Sequence, residues 1–315
     1  MYIEDVPRYS SGLRSEISID IFLGDIKNMR ATSKLRKLLS RDGLVIAGGV
    51  NDALGAKIIE EAGYEAIYVS GFCVEASYGY PDTGMLTMTE FTDRAASIVA
   101  STALPVLCDA DTGFGNAVNV VRTTQQFERA GVAGIHLEDQ LMPKKCGAFA
   151  GKQLIPKSEM IGKLHAALDS RIDPDFLIIG RTDAINMVGG LPETIERGSS
   201  YLEAGCDLLL VTVPTSEEQV RGICEAFPGQ AVLTINESGV SPALPFQKYE
   251  QYGLKLGLVT ISLTFAAITA MRKAARDILK DQDITQVMAR NDNWDSILEL
   301  VGFSHINELS EKYQS

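Results

Sequence analysis

The sequence predicts a (β/α)₈ barrel, and three observations lead to that fold class. Eight short apolar runs, of the kind that form buried parallel strands, alternate along the chain with segments of helical periodicity. Several of those segments end at a glycine just before the next apolar run, as at Gly63, Gly131 and Gly205. No G-x-G-x-x-G motif follows the first run and the chain has no P-loop, so the alternative, an open doubly wound sheet, fits less well.

The expected elements divide the chain into three parts. We predict an N-terminal arm over 1–32, the barrel over 33–280 and a C-terminal helical extension over 281–315. The expected strands are 44–47, 66–69, 106–108, 133–137, 176–179, 208–213, 231–235 and 256–261. The expected helices are 33–40, 53–62, 91–101, 116–130, 157–170, 191–204, 217–226 and 262–279.

Composition narrows the classes of partner. The net charge of −12 over 315 residues disfavours nucleic acid and anionic membranes, which both need a basic face. It leaves room for a small anionic substrate, because one cation and a few basic side chains make a local positive site. No apolar stretch is long enough to span a membrane. The five cysteines are scattered and odd in number, so we expect reduced thiols in a cytoplasmic protein.

The extension is too apolar for a free tail, with Val287, Trp294, Leu298 and Phe303 among its residues. Such a segment fits a cap on its own barrel nearly as well as a contact with a neighbouring subunit. We favour the subunit contact and expect a homo-oligomer, a tetramer, assembled through the C-terminal helices.

Two carboxylates at the end of the third apolar run begin the argument for a metal site. Asp109 and Asp111 are two residues apart, so on an extended chain they point the same way. Taken alone they equally fit a turn with solvated acids. The next expected strand also ends in acids, at Glu138 and Asp139. Asp109, Asp111 and Glu138 together predict a site for a hard divalent cation, Mg²⁺ or Mn²⁺.

The other expected strands also end in polar residues, and in a barrel the carboxyl ends of the strands form the active face. Independent strands would therefore deliver carboxylates, hydroxyls and one arginine to the same place. The residues concerned are Ser70-Gly71, Arg181-Thr-Asp183, Thr212 and Asn236-Glu237.

The long loop of residues 140–152, named the lid loop below, follows the fourth strand and has glycines that could act as pivots. Cys146 stands beside Lys144 and Lys145 in this loop. Neighbouring positive charge lowers a thiol pKa, so we expect a cysteine suited to proton transfer or nucleophilic attack. An incidental surface cysteine is the alternative.

The ordered motifs resemble those of the isocitrate lyase/phosphoenolpyruvate mutase superfamily, from about residue 33 to about residue 275. They are Ser70-Gly71, Pro81-Asp82, Asp109-x-Asp111-x-Gly-Phe-Gly115, Glu138-Asp139, Lys144-Lys145-Cys146-Gly147 and Gly180-Arg181-Thr-Asp183. The resemblance is greatest to the short-chain lyases and hydrolases: 2-methylisocitrate lyase, 2,3-dimethylmalate lyase, oxaloacetate hydrolase and the petal death protein. The mutase and phosphonopyruvate hydrolase branch has Asn in the lid, so Cys146 argues against that branch.

The resemblance implies a role for each matching residue. Asp109 would bind Mg²⁺ directly, and Asp82, Asp111 and Glu138 would hold its waters. Arg181 would clamp a substrate carboxylate, and Cys146 would be the acid that protonates the departing carbanion. Lys145 and Glu237 complete the expected catalytic set. The residues expected to contact substrate are Ser70, Gly71, Phe72, Gly147, Thr234 and Asn236.

Two positions depart from the family pattern. The lid commonly carries His where this chain has Ala148, and the seventh strand commonly reads Asn-x-x-Glu where this chain has Thr234-Ile-Asn236-Glu237. The favoured hypothesis is a Mg²⁺-dependent lyase that cleaves a C–C bond of a small 2-hydroxy di- or tricarboxylate. The alternatives are a hydrolase or decarboxylase of a 2-oxo dicarboxylate, and a relative that binds its ligand without turnover.

Overall fold

Eight parallel strands close into a barrel in the order in which they occur along the chain. The computed structural model describes residues 29–187, 189–235 and 239–314. Most of the predicted arm therefore lies outside the described residues. The strands are β1 Val45–Val50, β2 Ala66–Val69, β3 Val106–Asp109, β4 Gly134–Glu138, β5 Leu177–Thr182, β6 Leu208–Val211, β7 Ala231–Ile235 and β8 Leu256–Val259. Each overlaps a predicted run, so the predicted fold class is confirmed.

Helices follow the strands around the outside of the barrel, and side-chain caps fix where several begin. Asp52 accepts the N–H of Gly55, and Thr87 forms a capping box with Glu90. The helices of the barrel are α1 Ala31–Ser40, α2 Ala53–Glu61, α3 Gly71–Ser77, α4 Met88–Val99, α5 Ala117–Arg129, α6 Lys157–Ser170, α7 Gly190–Glu203, α8 Glu217–Ala226, α9 Phe246–Gln251 and α10 Ser262–Asp281. The C-terminal helices are α11 Thr285–Met288, α12 Trp294–Leu300 and α13 Phe303–Tyr313.

Side chains alternate between two buried layers, as the two-residue period of a strand requires. In β2, Ala66 and Tyr68 belong to the cluster inside the barrel, whereas Ile67 and Val69 belong to the layer between the strands and the helices. Both faces of the strands are thus apolar, which explains why the strands appear in the sequence as continuous apolar runs.

Helix α1 packs on the interior cluster through Leu35 and Leu38. Arg36 of α1 donates to the carbonyl of Pro174 and to Asp207, which precede β5 and β6. The amino-terminal end of the barrel is therefore covered, and the carboxyl ends of the strands remain for a binding site.

The C-terminal part of the chain adds little to either layer. Helix α10 has no buried residue, and among α11, α12 and α13 the structure buries only Val287. The predicted boundary between barrel and extension falls in the last turn of α10 and stays a prediction. Among the described residues, none of the helices combines the length and the apolar character needed to cross a membrane.

Candidate active site

A cavity of about 370 Å³ opens at the carboxyl ends of the strands, where the fold class places an active site. Its volume is in the lower part of the range for small-molecule sites, about 300–1,000 Å³. Its lining combines polar and apolar side chains, and the lid loop contributes four residues. The lining residues that the argument uses are Tyr68, Ser70, Phe72, Asp82, Asp109, Cys146, Gly147, Ala148, Arg181, Thr212, Val213, Thr234, Ile261 and Phe265.

Four carboxylates gather beside the cavity, and two of them, Asp82 and Asp109, line it. Asp109 and Glu138 are the last residues of β3 and β4, Asp111 lies just beyond β3, and Asp82 lies in the loop after α3. All four are buried, with exposed fractions between 0% for Glu138 and 6% for Asp82. The structure therefore brings together the residues predicted to hold the metal.

Two basic side chains pair with these acids. The Lys144 ammonium contacts Asp82 and lies 2.8 Å from Asp111 Oδ1. Arg181 Nη2 lies 2.7 Å from Glu138 Oε2, and Arg181 Nη1 lies 3.6 Å from Asp109 Oδ2. Both cations are nearly inaccessible to solvent, so their attraction to the carboxylates is weakly screened.

The carboxylates differ in how readily they ionise. Burial would raise the pKa of Asp109, but Arg181, Lys144 and other neighbours outweigh it and hold that pKa below its ordinary value. Burial, with the added repulsion of Asp109 and Asp82, raises the pKa of Asp111 to about 7. Burial also raises the pKa of Glu138, despite Arg181. Asp109 is therefore the member of the cluster best suited to bind a cation directly.

The acidic cluster fits a divalent cation held largely through water. Asp111 Oδ2 and Glu138 Oε1 are buried and have no hydrogen-bond partner among the described residues, which is costly unless a further donor or cation approaches them. In the described part of the chain, no three His, Cys, Asp or Glu side chains form a ready-made metal cage. Mg²⁺ needs no such cage, since it keeps several waters and commonly binds through one or two carboxylates.

The turn from β2 into α3 forms the floor beside these acids. Ser70 is the N-cap of α3, and its hydroxyl lines the cavity. A Cβ atom at Gly71 would lie only 2.7 Å from Asp109 Oδ2, so only glycine lets the backbone approach the cluster this closely. Phe72 lines the cavity and packs on Phe265 of α10, with ring centroids 6.0 Å apart. The three predicted residues thus border the same cavity as the acids.

The lid loop lies over this cavity. The Cys146 N–H donates to the Asp82 carbonyl at 3.0 Å, and Cys146, Gly147 and Ala148 all line the cavity. Burial and the nearby Asp82 raise the pKa of Cys146 to about 12. The expectation of a lowered thiol pKa is wrong, because burial and Asp82 raise that pKa and the Lys144 ammonium is paired with Asp82 and Asp111. The thiol is protonated at neutral pH, which suits a proton donor.

The two adjacent lysines of the lid have different surroundings. Lys145, predicted to be catalytic, donates from Nζ to the carbonyls of Ala150 and Gly151 in its own loop. Lys144 is 2% exposed and reaches the acidic cluster. The catalytic role of Lys145 stays a prediction. The lysine that lies beside the carboxylates is Lys144.

Residues at the ends of β5, β6 and β7 form a further part of the site. Asp183 accepts from Arg181 Nε at 3.0 Å and from Thr212 Oγ1 at 2.8 Å, and its pKa falls to about 2 because these donors and nearby charges outweigh burial. Thr234 Oγ1 accepts the N–H of Val213, whose φ of 54° is unusual for a β-branched residue. Asn236, predicted to contact substrate, and Glu237, predicted to be catalytic, lie outside the described residues.

Several site residues were not predicted. Tyr68 lines the cavity, and its hydroxyl lies 2.9 Å from His136 Nε2 and 3.4 Å from Asp109 Oδ2. Tyr68 occupies an inward position of β2, so the strand period could have indicated it. Lys144 was part of the quoted lid motif but was not assigned to the site, and Lys152 carried no signal, because the direction of a loop side chain does not follow from sequence spacing.

Comparison with known proteins identifies the family. The model of the phosphoenolpyruvate phosphomutase family matches residues 35–279. The chain belongs to the phosphoenolpyruvate mutase/isocitrate lyase superfamily. The predicted resemblance and its extent are therefore confirmed.

Three members of the superfamily are similar over nearly their whole length. A 2,3-dimethylmalate lyase of Eubacterium barkeri is 41% identical over 286 residues, which are 90% of this chain and 99% of that protein. Solved structures of oxaloacetate acetylhydrolase with 3,3-difluorooxalacetate and of phosphonopyruvate hydrolase with oxalate and Mg²⁺ are 28% and 30% identical, each with a TM-score of 0.84. They cover 90% and 91% of this chain, and the matches take in 97% and 100% of those chains. The prediction that the chain is an enzyme of the C–C lyase class is confirmed at this level.

Proposed function

We propose that the chain is a Mg²⁺-dependent lyase that cleaves a C–C bond of a small 2-hydroxy dicarboxylate, with Cys146 as the acid. The carrying observation is that a buried acidic cluster and a protonated lid thiol face one cavity. The 2,3-dimethylmalate lyase of E. barkeri supports the reaction class. The relative solved with oxalate and Mg²⁺ supports the metal.

Asp109 would bind the ion, and Asp82, Asp111 and Glu138 would hold its waters. The bound Mg²⁺, or Mn²⁺ in its place, would supply Lewis acidity to the hydroxyl and carboxylate of the substrate. Ser70 and the backbone at Gly71 and Phe72 would bind that same end of the substrate.

The chain's own residues would then handle charge and protons. A carboxylate of the acidic cluster would accept the hydroxyl proton. The oxygen would then form a C=O bond as the adjacent C–C bond breaks, which leaves the electron pair on the fragment that carries the second carboxylate. Arg181 offers a fixed positive charge beside this site. The Cys146 thiol donates its proton to that fragment, so the products are a 2-oxo acid and a second carboxylic acid. The lid loop excludes water while the carbanion exists.

The apolar wall of the cavity favours a substrate with alkyl substituents. Phe72, Val213, Ile261 and Phe265 supply apolar surface to the lining of the cavity. Burying a methyl group against such a wall contributes about 0.8 kcal/mol. Dimethylmalate, the substrate in the name of the E. barkeri relative, has this combination of carboxylates and methyl groups.

Two other activities remain candidates for specific reasons. The likeness to oxaloacetate acetylhydrolase favours a hydrolase or decarboxylase of a 2-oxo dicarboxylate on the same scaffold. Ala148 lines the cavity where the family commonly has His, which favours a protein that binds its ligand without turnover.

A substrate panel separates these possibilities. Purified protein is incubated with 2-hydroxy and 2-oxo dicarboxylates, with Mg²⁺ or with a chelator, and the products are identified. The lyase predicts a 2-oxo acid plus a second acid, and the hydrolase predicts oxalate plus acetate. Asp109→Ala should abolish activity while leaving the circular dichroism spectrum unchanged. Equal turnover with chelator present would refute the metal-dependent mechanism.

Cys146→Ser tests the acid. Serine keeps the size of the side chain but is a far weaker acid, so we expect turnover to fall by about 10²–10⁴-fold, the range of a lost acid–base catalyst. Binding of oxalate with Mg²⁺, measured by calorimetry, should change little. Undiminished turnover in this variant would remove Cys146 from the mechanism.

A further inference from the structure

The end of the lid loop is fixed to the barrel by a buried ion pair. Lys152 Nζ lies 3.2 Å from Asp183 Oδ1 and donates to the carbonyl of Gly147 within the lid. The side chains of Lys152 and Asp183 are 5% and 0% exposed. A lysine seldom gives up so much solvent contact, and here the buried partner compensates for it.

The same carboxylate also touches the residue at the centre of the lid. A Cβ atom at Gly147 would lie 3.2 Å from each of Asp183 Oδ1, Thr212 Oγ1 and Val213 Cγ2. The lid backbone therefore approaches Asp183 closely at Gly147, the residue after Cys146. Glycine permits this approach, and Lys152 holds it from the other side of the loop.

Asp183 also connects the lid backbone to Arg181, which lines the cavity. Its other oxygen, Oδ2, accepts from Arg181 Nε at 3.0 Å, while Oδ1 also accepts from Thr212 Oγ1. Asp183 itself is held by its N–H, which donates to the buried Asp139 at 3.1 Å. One rigid carboxylate thus contacts the lid, the lid's lysine and the arginine that faces the acidic cluster.

We propose that Lys152 is a positioning residue that latches the lid loop shut through Asp183, and that Asp183 couples lid closure to the orientation of Arg181. The latch concerns the lid and does not require the proposed lyase activity. Neither Lys152 nor Asp183 pairs directly with the four carboxylates of the acidic cluster, and Arg181 is the link between Asp183 and that cluster.

Cys146 gives a direct readout of the latch. All five cysteines are free, and the other four are buried, so a bulky maleimide should react in the folded protein at Cys146 alone. The rate of labelling in metal-free protein, followed by intact mass, then reports how often the lid opens. Labelling at more than one site would reveal unfolding, which this design distinguishes from lid opening.

Four variants and a control test the pair. Lys152→Met and Asp183→Asn should each raise the labelling rate about tenfold, which corresponds to about 1.4 kcal/mol in the opening equilibrium. The double variant should be no faster than either single one, because residues that act as a pair are not additive. Lys152→Arg, which keeps the charge, should restore slow labelling. Lys157→Met is the matched control, since Lys157 forms an exposed pair with Glu196 outside the lid.

The outcomes decide between a latch and an incidental pair. A rate for Lys152→Met equal to that of Lys157→Met overturns the proposal, as do additive effects in the double variant. Because labelling needs neither substrate nor metal, failure of the latch is distinguishable from failure of the lyase assignment. With a substrate in hand, Lys152→Met should lower kcat while Mg²⁺ affinity stays at the wild-type value. A loss of Mg²⁺ affinity would mean that the substitution disturbed the acidic cluster, and it would also overturn the proposal.

Discussion

At the scale of single residues, Lys144 shows how little separates a surface lysine from a buried one. Lys144 and Lys145 are neighbours of the same type, and only the path of the lid backbone sends one to the carboxylates and the other to carbonyls of its own loop. The positive charge of Lys144 compensates the negative charges of Asp82 and Asp111, which are buried close together. Removing it leaves like charges without compensation.

We therefore expect Lys144→Met to destabilise the metal-free protein by about 3–5 kcal/mol, the usual result of breaking a buried ion pair from one side. Urea unfolding in the presence of a chelator measures this difference. Lys145→Met should change stability by less than about 0.5 kcal/mol, because Lys145 is only half-buried and forms no ion pair with the buried carboxylates. Equal effects of the two substitutions would contradict the contrast between the lysines.

The sequence predicted where side chains on strands point, because the two-residue period of a strand fixes their direction. It failed for side chains on the lid loop, whose direction depends on the path of the loop. Asp109 and Glu138 end neighbouring strands, and the barrel brings them together with Asp111 as predicted. The thiol pKa of Cys146 was predicted with the wrong sign. Sequence proximity to lysines says nothing of burial, and burial next to Asp82 controls that pKa.

At the scale of elements, the strands were easier to predict than the short helices. Each strand is apolar on both faces, so its run is continuous and unmistakable. Helices α3 and α9 were not predicted, because seven and six residues are too few to show a helical period. Ser70-Gly71 was interpreted as a binding turn, and it is also the start of α3, so a helix N-terminus lies beside the acids.

The close approach of this turn to the acidic cluster yields a prediction. In Gly71→Ala the new methyl group would meet Asp109 Oδ2, so the carboxylate must move and Mg²⁺ affinity should fall by about tenfold or more. Isothermal titration calorimetry measures this change. Gly162→Ala in α6 is the matched control, since nothing lies within 4 Å of the added atom. It should leave affinity unchanged and stabilise the helix by about 0.5–1 kcal/mol.

At the scale of the whole molecule, the fold follows from the alternation of apolar runs and helical segments in the sequence, whereas the oligomeric state does not. Eight runs and their helices permit few arrangements, and the barrel closes in sequence order. Within the described part of the chain, the apolar side chains of the C-terminal helices have no layer packed against them. The exposed residues include Met288, Trp294, Ile297, Val301, Phe303 and Ile306. Monomers seldom leave so large an apolar surface in contact with water.

We propose that a second copy of the chain covers this surface, in agreement with the oligomer expected from the sequence. Trp294 is 74% exposed in the single chain and is the chain's one tryptophan, so its fluorescence reports on this surface alone. In the assembled protein its emission should be blue-shifted and resistant to acrylamide. Phe303→Asp should shift the emission to the red and lower the mass measured by light scattering, because a charge in an apolar interface is costly. Ile172→Asp is the control, since Ile172 is equally exposed at 74% but lies on the barrel before β5. A monomeric wild-type mass, or the same assembly in both variants, would show that these helices do not join subunits.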